Sequence, residues 1–164
     1  MIVVLMGVCG CGKSTVGRAL AEELGWIFLD ADDLHPQANV EKMASGIPLG
    51  DEDRWPWYEG IAAELRRLGA SGEHVVLACS ALKQAYRDRL SRAGDLRVVY
   101  LKGDAEAIEP RIVSRRGHFM PASLLESQFA TLEEPADAII VDVTQPVAQQ
   151  VAAIARALRQ ELPV

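Results

Sequence analysis

The segment Gly7-Val8-Cys9-Gly10-Cys11-Gly12-Lys13-Ser14 matches the pattern G-x-x-x-x-G-K-[ST], and it constrains the chain more than any other feature. The apolar run Ile2–Met6 leads into it, and a stretch with Val16, Leu20 and Leu24 on one helical face leads out. The pattern therefore sits between a buried strand and an amphipathic helix, the setting in which it binds phosphate. Glycines let the backbone turn tightly enough for successive N–H groups to point at phosphate oxygens, and the positive end of the following helix adds to the attraction. Lys13 is placed to reach the β- and γ-phosphates of a nucleotide, and the Ser14 hydroxyl to coordinate Mg²⁺. Gly7, Val8, Cys9, Gly10, Cys11, Gly12, Lys13, Ser14 and Thr15 form the expected ATP-phosphate site.

The rest of the chain fits the same architecture. Short, nearly uniformly apolar runs at 2–6, 26–29, 75–79, 97–101 and 138–141 read as strands buried on both faces. Between them, Trp57, Ile61, Leu65 and Leu68 share one helical face, and Val147, Val151, Ile154, Leu158 and Leu162 another. Strands alternating with helices predict an α/β fold, a parallel sheet covered by helices on both faces. The 164 residues show no repeat or linker and suit one domain spanning 1–164.

Composition removes several classes of function. No apolar run approaches the roughly 20 residues needed to cross a bilayer, so no membrane span is expected. The N-terminus lacks a basic leader, which argues against secretion. Two of the three cysteines, Cys9 and Cys11, lie inside the glycine-rich loop, where neither a disulfide framework nor a zinc site fits; a cytoplasmic location is the simpler reading. The net charge of −6 gives no footprint for nucleic acid. Between Lys83 and Arg116, however, nine basic residues face five acidic ones, which suits a small anionic ligand.

An acceptor side is visible beyond the second strand, in Asp30-Ala31-Asp32-Asp33-Leu34-His35-Pro36. Alternation along an extended segment puts Asp30 and Asp32 on one side, Asp30 to hold a metal-bound water and Asp32 to take a proton from an attacking hydroxyl. Capping of a following helix is the competing role for these acids, above all for Asp33. His35 is either a substrate contact or a helix-start residue. In Asp51-Glu52-Asp53-Arg54-Trp55-Pro56-Trp57, Arg54 offers a bidentate grip on a carboxylate, against the alternative of a solvated helix start with core tryptophans. Ser80 stands at the end of the third strand, where many nucleotide-hydrolysing enzymes carry a metal-side acid, so it is read as a substrate or water contact. The segment from Arg111 through Arg115 and Arg116 to about Thr131 reads as a lid, with an arginine to stabilise the transferring phosphoryl; a basic surface hairpin is the alternative.

The chain resembles the small P-loop gluconate kinases, similar in fold to shikimate and adenylate kinases. The likeness covers nearly the whole length and is carried by Leu34-His35-Pro36, Asn39, Lys42-Met43-Ala44-Ser45-Gly46, Asp53-Arg54, Cys79-Ser80-Ala81-Leu82-Lys83, Tyr86-Arg87, Gly117-His118-Phe119 and Gln128-Phe129. The resemblance implies a P-loop three-layer sandwich with a five-stranded parallel sheet of order 2-3-1-4-5, a helical lid at about 114–131, and a homodimer. It implies transfer of the ATP γ-phosphoryl to D-gluconate, with Mg²⁺ held by Ser14 and Asp30. The acceptor is then expected near Asp32, His35 and Arg54, with Ser80, Lys83 and Arg87 nearby. Lys13, Asp32, Arg115 and Arg116 are the expected catalytic residues, Arg111 and Arg115 are expected ATP contacts, and Val143-Thr144-Gln145-Pro146, with Gln145 and Pro146 in the ATP site, looks like the stretch that lies against adenine in related kinases. The loop cysteines depart from the family pattern, where serine is usual.

Two other readings compete. One keeps the phosphoryl transfer and changes the acceptor to shikimate, a nucleotide or another sugar acid, because acceptor choice rests on few side chains. The other is a regulatory module that binds ATP and transfers nothing, against which stand the three carboxylates facing the loop.

Overall fold

Five parallel strands lie in the order β2-β3-β1-β4-β5, with β1 at Ile2–Met6, β2 at Ile27–Asp30, β3 at Val75–Ala78, β4 at Leu96–Lys102 and β5 at Ile139–Asp142. This is the order expected from the sequence. The computed structural model describes residues 1–113 and 122–161. The helices are α1 (Lys13–Leu24), α2 (Gln37–Ala44), α3 (Asp51–Ala70), α4 (Gln84–Ser91), α5 (Ala105–Val113), α6 (Ala122–Thr131) and α7 (Val147–Glu161).

The two-residue period of the strands divides the core in two. Val3 and Leu5 of β1, with Val76, Val99, Leu101 and Val141, pack against the side that holds Val16 and Leu20 of α1 and Ile154 and Leu158 of α7. Ile2, Val4 and Met6, with Val75, Leu77 and Tyr100, face the opposite layer, where α3 contributes Trp57, Tyr58, Ile61 and Leu65 and α4 contributes Tyr86 and Leu90. Every residue of β1 is buried, which explains why this strand carries no polar side chain. The stripe on α3 is buried throughout, whereas Val147 at the start of α7 is 37% exposed and Leu162 lies outside the described residues.

Strand ends differ from the sequence expectation where they matter for the site. β2 runs to Asp30, and β3 stops at Ala78, so Cys79 and Ser80 belong to the connection beyond the sheet. The expected extended run from Asp30 to Asp32 is instead a strand end followed by a single 3-10 turn, Ala31–Leu34. The Asp30 carboxylate caps that turn by accepting the Asp32 N–H at 3.0 Å, so the capping role falls to Asp30 and not to Asp32 or Asp33. Helix α3 starts at Asp51, making the acidic stretch Asp51-Glu52-Asp53 its first turn, where negative side chains are favoured.

Sheet order creates the site. β1 sits between β3 and β4, and the chain leaves it over α1 to reach β2 at one edge, while later connections run to the other edge. Ligands of such sheets bind in the crevice at the carboxyl ends of strands flanking this reversal, which is where the glycine-rich loop emerges.

Candidate active site

The loop between β1 and α1 is shaped by glycine at positions no other residue fits. Gly7 has φ +153°, and a Cβ there would stand 2.7 Å from Cys11 Sγ and 2.9 Å from the Leu101 carbonyl. Gly12, at φ +99°, is the left-handed residue from which α1 starts. Lys13 folds back over the loop, its ammonium donating to the carbonyls of Gly7 and Val8, both at 3.0 Å. Cys11 is fully buried inside the turn, which suits a small filler. Cys79 is also buried, and burial pushes its thiol up to about 12, so it stays protonated and unreactive at neutral pH.

Lys13, Ser14, Asp30, Asp32 and Ser80 line one cavity of ≈ 100 Å³, together with Cys9, Ala78, Cys79 and Gln128. Ser14 Oγ donates to Asp30 Oδ2 at 2.7 Å. These two oxygens are hard donors beside the phosphate loop, the ligand chemistry that a Mg²⁺ ion shared with phosphate requires of its protein. Burial raises the pKa of the Asp32 carboxyl above its ordinary 3.8, the Asp30 charge adds to the rise, and Lys13 and His35 oppose it. Asp33 is exposed in the turn and takes no part in the cavity.

The wall beyond Asp32 is built from α2, α3 and α4. His35 stacks on Trp57 with ring centroids 3.9 Å apart and 16° between planes, and the Trp57 indole donates to the Ala31 carbonyl at 2.8 Å. Burial lowers the His35 pKa below 6.5, Asp32 pulls it up and Arg54 pushes it down. Arg54 donates to the Tyr86 hydroxyl at 3.2 Å; that hydroxyl in turn donates to Asp51. Lys83 meets Asp51 at 3.3 Å and lies over the Tyr86 ring. Tyr86 thus connects three charged groups that the sequence alone left separate.

Arg87 does not join this wall. It is 4% exposed, and its guanidinium donates to the carbonyls of Ala81 at 2.8 Å, Leu82 at 3.2 Å and Glu133 at 2.9 Å. With these backbone carbonyls and Gln84 Oε1, at 2.9 Å, taking its donors, it braces the turn that carries Ser80, where Ala81 adopts the left-handed φ of 43°. The expectation of an acceptor contact at Arg87 is corrected on that ground.

On the other side of the loop, a cleft of ≈ 490 Å³ is lined by Gly10, Cys11, Gly12, Thr15, Val16, Arg111, Thr144, Gln145, Pro146, Val147 and Gln150. Arg111 donates to the Val143 carbonyl, and Gln150 Nε2 donates to the Gln145 carbonyl at 2.8 Å, so both hold the 143–146 turn in place. Arg115 and Arg116, with most of the loop half of the expected lid, lie outside the described residues. Its helical half is α6, from which Gln128 Oε1 accepts the Cys9 N–H of the phosphate loop at 2.6 Å.

Sequence reasoning missed the roles of Gln128, Asn39, Asp51 and Tyr86. Gln128, Asp51 and Tyr86 work through partners distant in sequence, and Asn39 through both Asp53 and its helical neighbour His35, so the contiguous motifs do not announce them.

Residues 2–135 match the family model described as an AAA domain. The chain is 43% identical over 164 residues to the thermoresistant gluconokinase of Escherichia coli (strain K12), covering 97% of this chain and 94% of that protein. It is 51% identical over 137 residues to a gluconokinase of Gluconobacter oxydans (strain 621H), covering 82% of this chain and 76% of that one. Among solved structures, a gluconokinase from Sinorhizobium meliloti 1021 superposes with a TM-score of 0.84 at 46% identity, covering 96% of this chain and 93% of that one.

Proposed function

The chain belongs to the gluconokinase family, and on that premise we propose that it transfers the γ-phosphoryl group of ATP to the 6-hydroxyl of D-gluconate, giving ADP and 6-phospho-D-gluconate. The observation that carries this reading is the single cavity that joins Lys13 and Ser14 of the phosphate loop to Asp30 and Asp32 at the end of β2. Phosphoryl transfer needs little beyond positioning and charge neutralisation, and both are supplied there.

The base of ATP lies in the cleft bounded by Arg111, Gln145 and Pro146, and the triphosphate runs through the loop amides to Lys13. Ser14 and Asp30 would hold Mg²⁺, which would offset negative charge on the phosphates. The acceptor enters from the α2–α3 side, its carboxylate gripped by Arg54 and its hydroxyls met by His35, Ser80 and Lys83. A lone pair of the 6-hydroxyl oxygen forms the bond to the γ-phosphorus, the bond to the β–γ bridging oxygen breaks, and ADP leaves with that electron pair. The hydroxyl proton passes to the Asp32 carboxylate, whose pKa is raised by desolvation and by the neighbouring Asp30 charge, which makes it a better proton acceptor than an unperturbed aspartate. Arg115 and Arg116, from the lid at about 114–131, complete the neutralisation of the transferring group.

The working unit on this reading is a cytoplasmic homodimer of one kinase domain per chain, and sedimentation velocity on the purified protein tests the dimer. No described helix is long and apolar enough to cross a membrane.

A coupled ADP-release assay with Mg·ATP and gluconate, shikimate, other sugar acids or nucleoside monophosphates tests the proposal. Turnover with gluconate well above the rest is expected. Turnover with a different acceptor keeps the phosphoryl transfer and discards gluconate, and ATP binding without turnover discards both.

A further inference from the structure

Asn39, on α2, is 3% exposed and is one of few buried polar side chains; the reaction as described gives it no task. Its Nδ2 donates to the Asp53 carbonyl at 2.9 Å and lies 3.3 Å from His35 Nδ1. A backbone carbonyl only accepts, so the amide atom facing Asp53 must be the nitrogen, and this fixes the amide orientation by chemistry. One N–H is spent on Asp53, and the other is directed at His35 Nδ1. The ring can meet a donor there only with a lone pair, so Nδ1 carries no proton and a neutral imidazole must carry its proton on Nε2.

The rest of the surroundings agrees. The stack on Trp57 sets the ring plane, and Trp57 is itself held by the Ala31 carbonyl. Among charged groups, Asp32 favours the imidazolium, while Arg54 and burial oppose it. Nε2 has no hydrogen-bond partner among the described residues.

We propose that Asn39 is a positioning residue that locks His35 as the neutral Nε2–H tautomer, so that the ring offers the acceptor a hydrogen-bond donor beside Asp32. A donor at that point selects an oxygen lone pair, from a hydroxyl or carboxylate next to the reacting group, and leaves Asp32 as the group that takes a proton. Protonation of the ring abolishes the Asn39 bond, because an Nδ1–H would face an N–H. This inference rests on the reading of His35 as an acceptor contact, and the test separates the two.

Long-range ¹H–¹⁵N spectra of the full chain labelled with ¹⁵N-histidine read the tautomer with no variant and no substrate. The His35 Nδ1 is expected to resonate as an unprotonated nitrogen and Nε2 as a protonated one throughout the neutral range. A protonated Nδ1 at neutral pH overturns the proposal. In Asn39→Leu the preference is expected to collapse to a tautomer mixture, with the gluconate KM rising about tenfold, as for one lost hydrogen bond, and kcat and the ATP KM within about threefold. A wild-type spectrum and wild-type KM in that variant overturn the proposal, and if the variant does not fold the wild-type spectrum still decides. His35→Phe keeps the stack and loses the donor, and is expected to raise the gluconate KM as much, with His35→Gln restoring part of it. An unchanged KM in His35→Phe removes the acceptor role of His35, whatever its tautomer.

Discussion

At the scale of single residues, the proposed mechanism rests on three side chains, and each is expected to fail in its own way. Lys13 places the only ammonium in the cavity against the phosphate loop among the described residues, so Lys13→Ala is expected to lower kcat on the order of 10²–10³-fold, measured by steady-state ADP release. Asp32→Asn keeps shape and loses the proton acceptor. Its kcat should fall on the order of 10²–10⁴-fold, with the ATP dissociation constant nearly unchanged by calorimetry; near-normal kcat would take Asp32 out of the base role. Arg54→Lys replaces a planar fork braced on Tyr86 with a point charge, so the gluconate KM should rise on the order of tenfold with little change in kcat. Lys13 and Ser14 are legible in the sequence because the phosphate loop is a contiguous pattern, whereas Asp32 is marked only by the cluster of acids after the second strand. Asn39 and Gln128 are not, since Gln128 meets Cys9 across 119 residues and a pairing of that range leaves no local trace.

At the scale of elements, the first turn of α3 connects the acceptor wall to its neighbours. Asp53 accepts from Lys42 at 2.9 Å and from the Gly50 N–H at 3.0 Å, and Asp51 accepts from Tyr86 and Lys83. Hydrogen bonds, led by Tyr86 for Asp51 and by Lys42 for Asp53, hold both carboxyls below their ordinary 3.8. A depressed folded pKa stabilises above the unfolded value and loses that contribution as pH falls through the folded one. Melting temperature should therefore drop as pH is lowered below about 3.8, and Asp53→Asn should flatten that part of the curve in thermal melts. The central strands β1 and β3 are readable from β-branched runs because both their faces are buried, whereas the edge strand β5 departs from that expectation and leaves Ile140 61% exposed. The 3-10 turn after β2 is not readable, because Asp30 competes for the Asp32 N–H and bends a segment whose pattern reads as extended. Gln128 ties α6 to the phosphate loop, so Gln128→Ala should speed hydrogen exchange in peptides covering 7–12 and 122–131, read by mass spectrometry.

At the scale of the whole molecule, the order of the sheet does the work of bringing distant segments to one edge. β1 forms the centre, with Leu5 fully buried between α1, α7 and the neighbouring strands, and Leu5→Ala should cost about 2–5 kcal/mol in urea unfolding. The sequence alone predicts the layers, because alternating strands and helices admit few topologies. What it leaves open is how the two proposed ligand sites meet: the cleft proposed for the nucleotide lies against α7 and the wall proposed for the acceptor against α3 and α4, and the loop after β1 lines both that cleft, through Gly10, Cys11 and Gly12, and the cavity of Asp30 and Asp32, through Cys9. On the proposed reading, the γ-phosphate is joined to the end of the acceptor that lies farthest from the carboxylate Arg54 would hold. Proton-coupled ³¹P NMR of the reaction with Mg·ATP and gluconate measures this directly, since a phosphate on the terminal CH₂ is split into a triplet by two protons. The account predicts growth of that triplet together with ADP. A doublet from a secondary hydroxyl, or inorganic phosphate alone, would contradict it.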